Sequence, residues 1–368
     1  MQRPVMVALS GGVDSSVSLL LALRHHRNKS GWVQAVFMAN WDPHLSQSHS
    51  SPVTYPLSPS TCSIDRDFER AQRICETLQV PLTRVDFSRH YWTDVFDPTL
   101  QAYTQGTTPN PDIQCNRVIK FGCLKQWLKK EKGDDWILAT GHYARIQYSQ
   151  SDKRWQLLMG NDQSKDQSYF LSHMPYDALK ETWFPVGEMQ KSMVKQMAIQ
   201  HGLPSALQRE SMGLCFVGKH RHFHSFLSEF IPPSPGPILT LSGEYIGEHV
   251  GLFEYTIGQR IRVSHKSQKW FVLRKNAEKN EIVVVADSND PGLYSTRVNV
   301  KHWYWLSRNP VKENTLFWVR TRYQGELVKA RVSEEGVDLI QSVRAITPGQ
   351  VVVVWDNAGE CLGCGEIA

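Results

Sequence analysis

Over the first two hundred residues, short apolar runs alternate with longer amphipathic stretches. Val5-Met6-Val7-Ala8-Leu9, Val33-Gln34-Ala35-Val36-Phe37-Met38, residues 81–87 and Trp136-Ile137-Leu138-Ala139-Thr140 have the length and composition of buried strands. Between them, residues 17–23, 66–78 and 90–103 carry apolar side chains at helical spacing. In the second of these, Phe68, Ala71, Ile74, Cys75 and Leu78 fall on one side. A further helix puts Phe121, Leu124, Trp127 and Leu128 inward and Lys125, Lys129 and Lys132 outward. Residues 164–171 read as a loop entering a helix, and Met193 to His201 as a helix stopped by Gly202-Leu203-Pro204. This alternation predicts an α/β domain built on a parallel sheet with helices on both faces.

From Ser211 the texture changes. Pro232-Pro233-Ser234-Pro235-Gly236 and the glycines at 243, 247, 251 and 258 break the chain into short segments, which suggest a small β-containing central domain. From about Glu281, period-2 runs such as Ile282-Val283-Val284-Val285, Leu316 to Tyr323 and Val351-Val352-Val353-Val354-Trp355 suggest an all-β unit closing as a small barrel. The expected division is 1–210, 211–279 and 280–368. Residues 44–61, rich in Ser, Pro and His, read as a long loop. No internal repeat is visible.

Composition narrows the class. At 368 residues with 41% hydrophobic content, the chain can build two or three cores, and no apolar run approaches the ~20 residues that span a membrane. A formal charge of +5 permits a nucleic-acid partner without requiring one. Seven cysteines without a secretory signal point to a reducing compartment, where a cysteine is reactive, ligating or simply buried. With the first strand beginning near Pro4, an Arg-rich presequence is expected to be absent or already removed.

Candidate chemistry begins at the first turn. A strand passing through Gly11-Gly12 into a helix leaves backbone N–H groups unpaired at the helix start, an anion site suited to phosphate. No Walker A or G-x-G-x-x-G pattern occurs here; the plain alternative is a turn capped by Ser10 or Asp14. Further on, Pro109-Asn110-Pro111-Asp112 fixes a rigid path ahead of Cys115, holding a nucleophile and an acid/base group in a set relation. Cys215 lies among glycines, with Arg209 and Lys219 near enough in sequence to favour its thiolate. Taken singly, each cysteine also reads as a small buried hydrophobe, His142 as a core histidine, and the lysine face of 125–132 as either solvated or RNA-binding. Cys361-Leu362-Gly363-Cys364 has half the ligands of a zinc site and reads as a turn between barrel strands; Cys62, Cys75 and Cys123 read as structural.

The string SGGVDSS resembles the PP-loop of the ATP pyrophosphatases. Together with TPNPDIQCNRVIKF, ATGHYAR, KDQSYFL, FPVG, GLCFVG and YTIGQR, in that order and across nearly the whole chain, it resembles the tRNA-specific 2-thiouridylases. ESMGLCFVGK is nearer to the mitochondrial branch of that family. The resemblance implies an α/β PP-loop domain, a central domain and a C-terminal β-barrel. It implies ATP-dependent exchange of the C2 oxygen of the wobble uridine, U34, for sulfur (a tRNA-uridine 2-sulfurtransferase). ATP with Mg2+ and a persulfide donor protein are then needed, with tRNAs of Lys, Glu and Gln type as substrates and a mitochondrial location. Residue by residue, Ala8, Leu9, Ser10, Gly11, Gly12, Val13, Asp14, Ser15, Met38 and Gly141 match ATP contacts. Asn110, Pro111 and Asp112 match the loop around the target base. His142, Lys165, Asp166, Gln167, Arg322, Tyr323 and Gln350 match tRNA contacts. By the same resemblance Cys215 carries the persulfide, Cys115 is the nucleophile that attacks it to free sulfide, and Asp112 is the general acid/base; direct attack of the persulfide on C2 is the alternative route, and the sequence does not separate the two. Alternation along Trp318-Val319-Arg320-Thr321-Arg322 would put both arginines on one strand face. Between Asp42 and Ile64 the chain departs from the family, with a Ser/Pro/His loop in place of a shorter acidic segment. Two other readings compete: a PP-loop enzyme adenylating a small-molecule acid, which needs neither paired cysteines nor a basic barrel, and a non-catalytic RNA-binding protein, for which an intact SGGVDS would have no use.

Overall fold

The central strands of the first sheet are short apolar runs buried in the interior, while its edge strand Leu82–Asp86 is largely exposed. β1 (Val5–Ala8), β2 (Val33–Ala39), β3 (Leu82–Asp86) and β4 (Ile137–Ala139) appear where the hydrophobic pattern predicts them. The structure, a computed structural model, describes residues 3–26, 31–41, 63–208, 223–263, 268–306 and 315–368. Cys62, the loop expected at 44–61, and the whole Cys215 segment with Arg209 and Lys219 lie outside the described residues. The chain forms two compact units. The first comprises Met1–Val95, Asp112–Lys219 and Gly359–Cys361; the second comprises Phe96–Pro111, His220–Ala358 and Leu362–Ala368.

In the first unit, a hairpin of β5 (Ala144–Ser149) and β6 (Arg154–Met159) follows β4, and β7 (Thr182–Trp183) completes the parallel sheet β3-β2-β1-β4-β7. The hairpin is not announced by the pattern. Its strands form a two-stranded ribbon that is buried only at one end, at Ala144 and Leu157–Met159, so no period-2 alternation marks them. β1 sits between β2 and β4, so the order reverses there, and the carboxyl ends of β1 and β4 flank the place where open α/β sheets take ligands. Helix α1 (Val13–His25) leaves β1 through the Gly-Gly turn, and α2 (Ser63–Leu78) follows β2. Ala71, Ile74 and Cys75 of α2 pack with Val5, Val7, Ala35 and Phe37, while Val13 and Val17 of α1 pack with Val194 and Ala198 of the helix Lys191–Gln200. The stretch expected to be helical after Cys115 is so, but as a π-helix over Cys115–Cys123 before the α-helix Leu124–Lys132.

The second unit holds two β structures. β8 (Gly236–Thr240), β9 (Tyr245–His249), β10 (Arg260–Ile261), β11 (Trp270–Asn276) and β12 (Glu281–Val285) form the sheet β10-β11-β12-β8-β9. The run Ile282–Val285, expected with the C-terminal unit, therefore pairs with β11 and β8 instead; a buried strand looks the same in either sheet. β13 (Tyr294–Trp305), β14 (Leu316–Arg320), β15 (Val328–Val332), β16 (Gly336–Arg344), β17 (Val351–Trp355) and β18 (Cys361–Ile367) close a six-stranded barrel in the order β13-β16-β15-β14-β17-β18. Val319, Val328, Val337 and Val352 fill it. Two expectations fail here. Cys361 and Cys364 are not in a turn but buried in β18, in which Gly363 and Gly365 leave room for the rings of Trp305 and Trp303. Strand β14 ends at Arg320, so Arg322 does not share a strand face with it. The chain turns at buried Thr321, with Gln324 left-handed, and Arg322 is exposed in that turn.

Candidate active site

The first turn is built by hydroxyls and glycine. Ser10 N donates to Ser15 Oγ (3.2 Å), the two hydroxyls lie 3.1 Å apart, and Ser15 Oγ and Ser16 Oγ donate to Gly12 O (3.1 and 2.7 Å). Gly11 has φ +79°, and a Cβ there would lie 2.8 Å from the carbonyl oxygen of Asp67, so the turn requires glycine. Ser10 Oγ accepts Gly12 N (3.4 Å) within the turn, and the N-cap residue Gly12 has no side chain to cap α1. Its first-turn N–H groups and the positive end of the helix dipole suit a polyphosphate. Asp14 would oppose such an anion, but its carboxylate accepts Lys191 Nζ (2.6 and 2.7 Å) and Tyr143 Oη (2.8 Å). Lys191 is buried, so the pair neutralises the charge beside the loop. Ala8 and Leu9 are buried at the strand end, and Met38 lies half-buried near the end of β2.

The segment after β4 links this loop to the second group of residues. Gly141 lies against the first turn of α1, where a Cβ would come within 2.7 Å of Ser15 N. Next to it, buried His142 meets Thr140 Oγ1 at Nδ1 (2.6 Å) and Lys120 Nζ at Nε2 (3.5 Å). A lysine ammonium can only donate, so Nε2 accepts and the proton sits on Nδ1, facing Thr140. Burial, reinforced by Lys120, holds the imidazole well below its ordinary pKa, hence neutral. Lys120 belongs to the π-helix whose first residue is Cys115, buried as a thiol. Asp112 lies in the first turn of the short helix Pro111–Gln114 just before it. Burial pushes the Asp112 carboxyl up, and the Lys120 ammonium opposes that shift. A chain of contacts thus runs from the loop through Gly141 and His142 to Lys120, which feels Asp112. Among the described residues no set of three His, Cys, Asp or Glu side chains is arranged to hold a metal.

The residues matched to tRNA contacts have diverse surroundings. Asp166 is buried, accepting Gly160 N (2.9 Å), Ser168 N (3.1 Å) and Ser168 Oγ (2.8 Å), and so shapes the turn before the helix Ser168–Leu171. Gln167 Oε1 accepts Tyr143 N (3.0 Å), while Lys165 is half-buried on the same loop. In the second unit, Arg322 is exposed and Tyr323 half-buried; Gln350 Nε2 donates to the carbonyls of Thr108 (2.8 Å) and Pro109 (3.3 Å), and its Oε1 lies 3.5 Å from Asn110 Nδ2. Of the three lysines expected on one helix face, Lys125 is half-buried and pairs with Glu181 (2.5 Å), and exposed Lys129 pairs with Asp134 (2.7 Å). The sequence reading missed Lys120, Tyr143 and Lys191. The first two lie inside quoted motifs and had that as a signal; Lys191 has none, since only the fold brings it to Asp14.

Three family models match in succession: a tRNA methyl transferase HUP domain over residues 3–219, a tRNA methyl transferase PRC-barrel domain over 224–286 and an aminomethyltransferase beta-barrel domain over 295–367. The tRNA-specific 2-thiouridylase MnmA of Idiomarina loihiensis is 36% identical over 99% of this chain and 96% of its own length. That of Bacillus subtilis is 38% identical over 99% and 94%, and the mitochondrial tRNA-specific 2-thiouridylase 1 of Gallus gallus is 36% identical over 99% and 91%.

Proposed function

The chain belongs to the tRNA-specific 2-thiouridylase family, and from that membership we propose that it replaces the C2 oxygen of the wobble uridine of tRNA by sulfur, with ATP as co-substrate. The observation that carries the reading is the pairing of an uncapped phosphate-type turn with Asp112 and Cys115, linked through His142 and Lys120. A uridine C2 carbonyl is a poor electrophile. Attack of its oxygen on the α-phosphorus of ATP releases pyrophosphate and makes AMP the leaving group. The residues 8–15 loop would hold the phosphates, with Met38 and Gly141 beside the nucleotide. Asn110, Pro111 and Asp112 would border the base, and Asp112 would exchange the proton. A carboxyl shifted upward by burial is suited to that task.

The sulfur arrives as a persulfide on Cys215. Attack of the Cys115 thiolate on Cys215 Sγ forms the Cys115–Cys215 disulfide and breaks the persulfide bond, releasing hydrosulfide. Hydrosulfide adds to C2, AMP leaves, and a thiol reductant reopens the disulfide for the next turnover. A persulfide donor protein reloads Cys215. In this reading residues 1–210 adenylate, 211–279 carry the sulfur and 280–368 bind tRNA through Arg322 and Tyr323, with His142, Lys165, Asp166, Gln167 and Gln350 ordering the RNA-facing loops. tRNAs of Lys, Glu and Gln type are the substrates. A mitochondrial location belongs to the same proposal, supported by the ESMGLCFVGK segment and the chicken relative; fractionation solely to the cytosol would reject it.

The test is incubation with ATP, a sulfide source and unmodified tRNA, read by retardation in a thiol-sensitive gel. ATP-dependent retardation is expected. Its absence, with pyrophosphate released in the presence of a small carboxylic acid instead, would favour a small-molecule adenylating enzyme.

A further inference from the structure

Thr108 is held by all three of its polar groups. Its amide donates to Pro348 O (2.9 Å), its carbonyl accepts Gln350 Nε2 (2.8 Å), and its hydroxyl lies 3.5 Å from Lys275 Nζ. The same ammonium donates to Tyr255 O (2.7 Å) and lies 3.5 Å from Leu252 O. Lys275 is thus a mostly buried cation on β11 whose partners are two backbone carbonyls and a hydroxyl. Burial alone lowers its pKa to about 8. An apolar side chain of the same length would fill this space without the desolvation cost, so what the ammonium adds is directional bonding.

That bonding adds direction to a loop that is already packed: Thr108 is buried, and a Cβ on Gly349 would lie 2.9 Å from Thr108 N. A cavity of about 290 Å³ lies beside it, lined by Gly106, Thr107, Leu273, Lys275, Ile346 and Pro348. Beyond Thr108, the prolines at 109 and 111 fix φ on either side of Asn110. The orientation set at Thr108 is therefore carried along a stiff segment through Asn110 to Pro111.

We infer that Lys275 is a positioning residue for the thiolation proposed above. With Gln350 it clamps Thr108 and so sets the path of residues 108–111, whose Asn110 and Pro111 are proposed to border the target base. The clamp is a property of the chain, whereas its effect on rate rests on the proposed function, and the experiment separates the two.

Lys275→Met, Thr108→Val and the double variant are made in the full chain, with Thr108→Ser as the conservative control. Hydrogen–deuterium exchange of a peptide covering residues 106–116 is expected to rise about tenfold in each single variant. It should rise no further in the double variant and stay near wild type in Thr108→Ser; a peptide covering β13 should not change. In the thiolation assay, kcat should fall about tenfold in the single variants with KM for tRNA unchanged, the pattern of a misplaced reacting group. Unchanged exchange at 106–116, or additive effects in the double variant, would overturn the clamp. A raised KM with kcat intact would give Lys275 an RNA-binding role instead and overturn the positioning role. If Lys275→Met does not fold, Thr108→Val, which removes a single hydroxyl, carries the exchange measurement. If the wild-type protein does not thiolate tRNA, the proposed function falls, and exchange still decides the clamp.

Discussion

Gly11 and Gly12 stand side by side but are glycine for different reasons. Gly11 is left-handed and its Cβ position is occupied by the Asp67 carbonyl, whereas Gly12 is extended and has only Ser10 Oγ near it, at 3.5 Å. Gly11→Ala should lower thermal stability, by roughly 1–3 kcal/mol from strain and displacement of α2. Gly12→Val should melt like the wild type yet lose ATP-dependent pyrophosphate release, because the side chain fills the space in front of the uncapped helix start. Normal ATP turnover in Gly12→Val would remove the phosphate site from this loop. Asp112 makes a second test at this scale. Its carboxyl pKa is raised in the folded protein, so the folded state binds that proton more tightly than the unfolded chain does. Stability therefore falls as pH climbs from the ordinary carboxylate range through the raised folded value, and stays lower above it. Asp112→Asn should raise Tm at pH 7 by roughly 1–3 °C while cutting thiolation by about 10²-fold or more. An unchanged or lower Tm would mean that the carboxylate is stabilised in a way the burial argument omits.

Among the elements, the π-helix Cys115–Cys123 does what an α-helix of the same sequence would not. Its wider turn changes the angular spacing of side chains, and Cys115, Asn116 and Ile119 are buried along it while Lys120 reaches His142. Asn116 Nδ2 anchors it to Phe170 O at 3.1 Å. Apolar periodicity revealed a helix here but not its winding, since a π turn is selected by such tertiary bonds. The β14–β15 connection is the matching case in the barrel. Arg322 lies exposed in a turn closed by Gly325 N on Arg322 O (3.0 Å), free of the strand register that sequence alternation implied. Arg322→Ala should weaken binding of all substrate tRNAs about equally and lower the salt dependence by about one phosphate contact. Affinity and salt slope both unaltered would take RNA binding away from this turn.

For the whole molecule, the sharpest expectation joins two cysteines a hundred positions apart. If turnover passes through a Cys115–Cys215 disulfide, their Cα atoms must approach to within about 7 Å in that state. Cys115→Ser should keep persulfide on Cys215 but stop thiolation, Cys215→Ser should lose both, and Cys123→Ser should lose neither. Wild-type thiolation by Cys115→Ser would refute the nucleophile, and full loading on Cys215→Ser would move the carrier elsewhere. The sequence by itself determined the parallel α/β sheet, the Gly-Gly turn, the Asp112–Cys115 spacing and the C-terminal barrel. Each of these is written in local periodicity, in glycine and proline placement, or in a contiguous motif. Only the tertiary structure decided that Lys191 neutralises Asp14, that His142 is neutral and bonded to Lys120, that Ile282–Val285 joins the central sheet, and that Lys275 and Gln350 grip Thr108. Those facts depend on which desolvated groups meet across 177, 22, 167 and 242 positions of chain. Burial and hydrogen-bond partners are properties of the packed interior, and no local pattern encodes them.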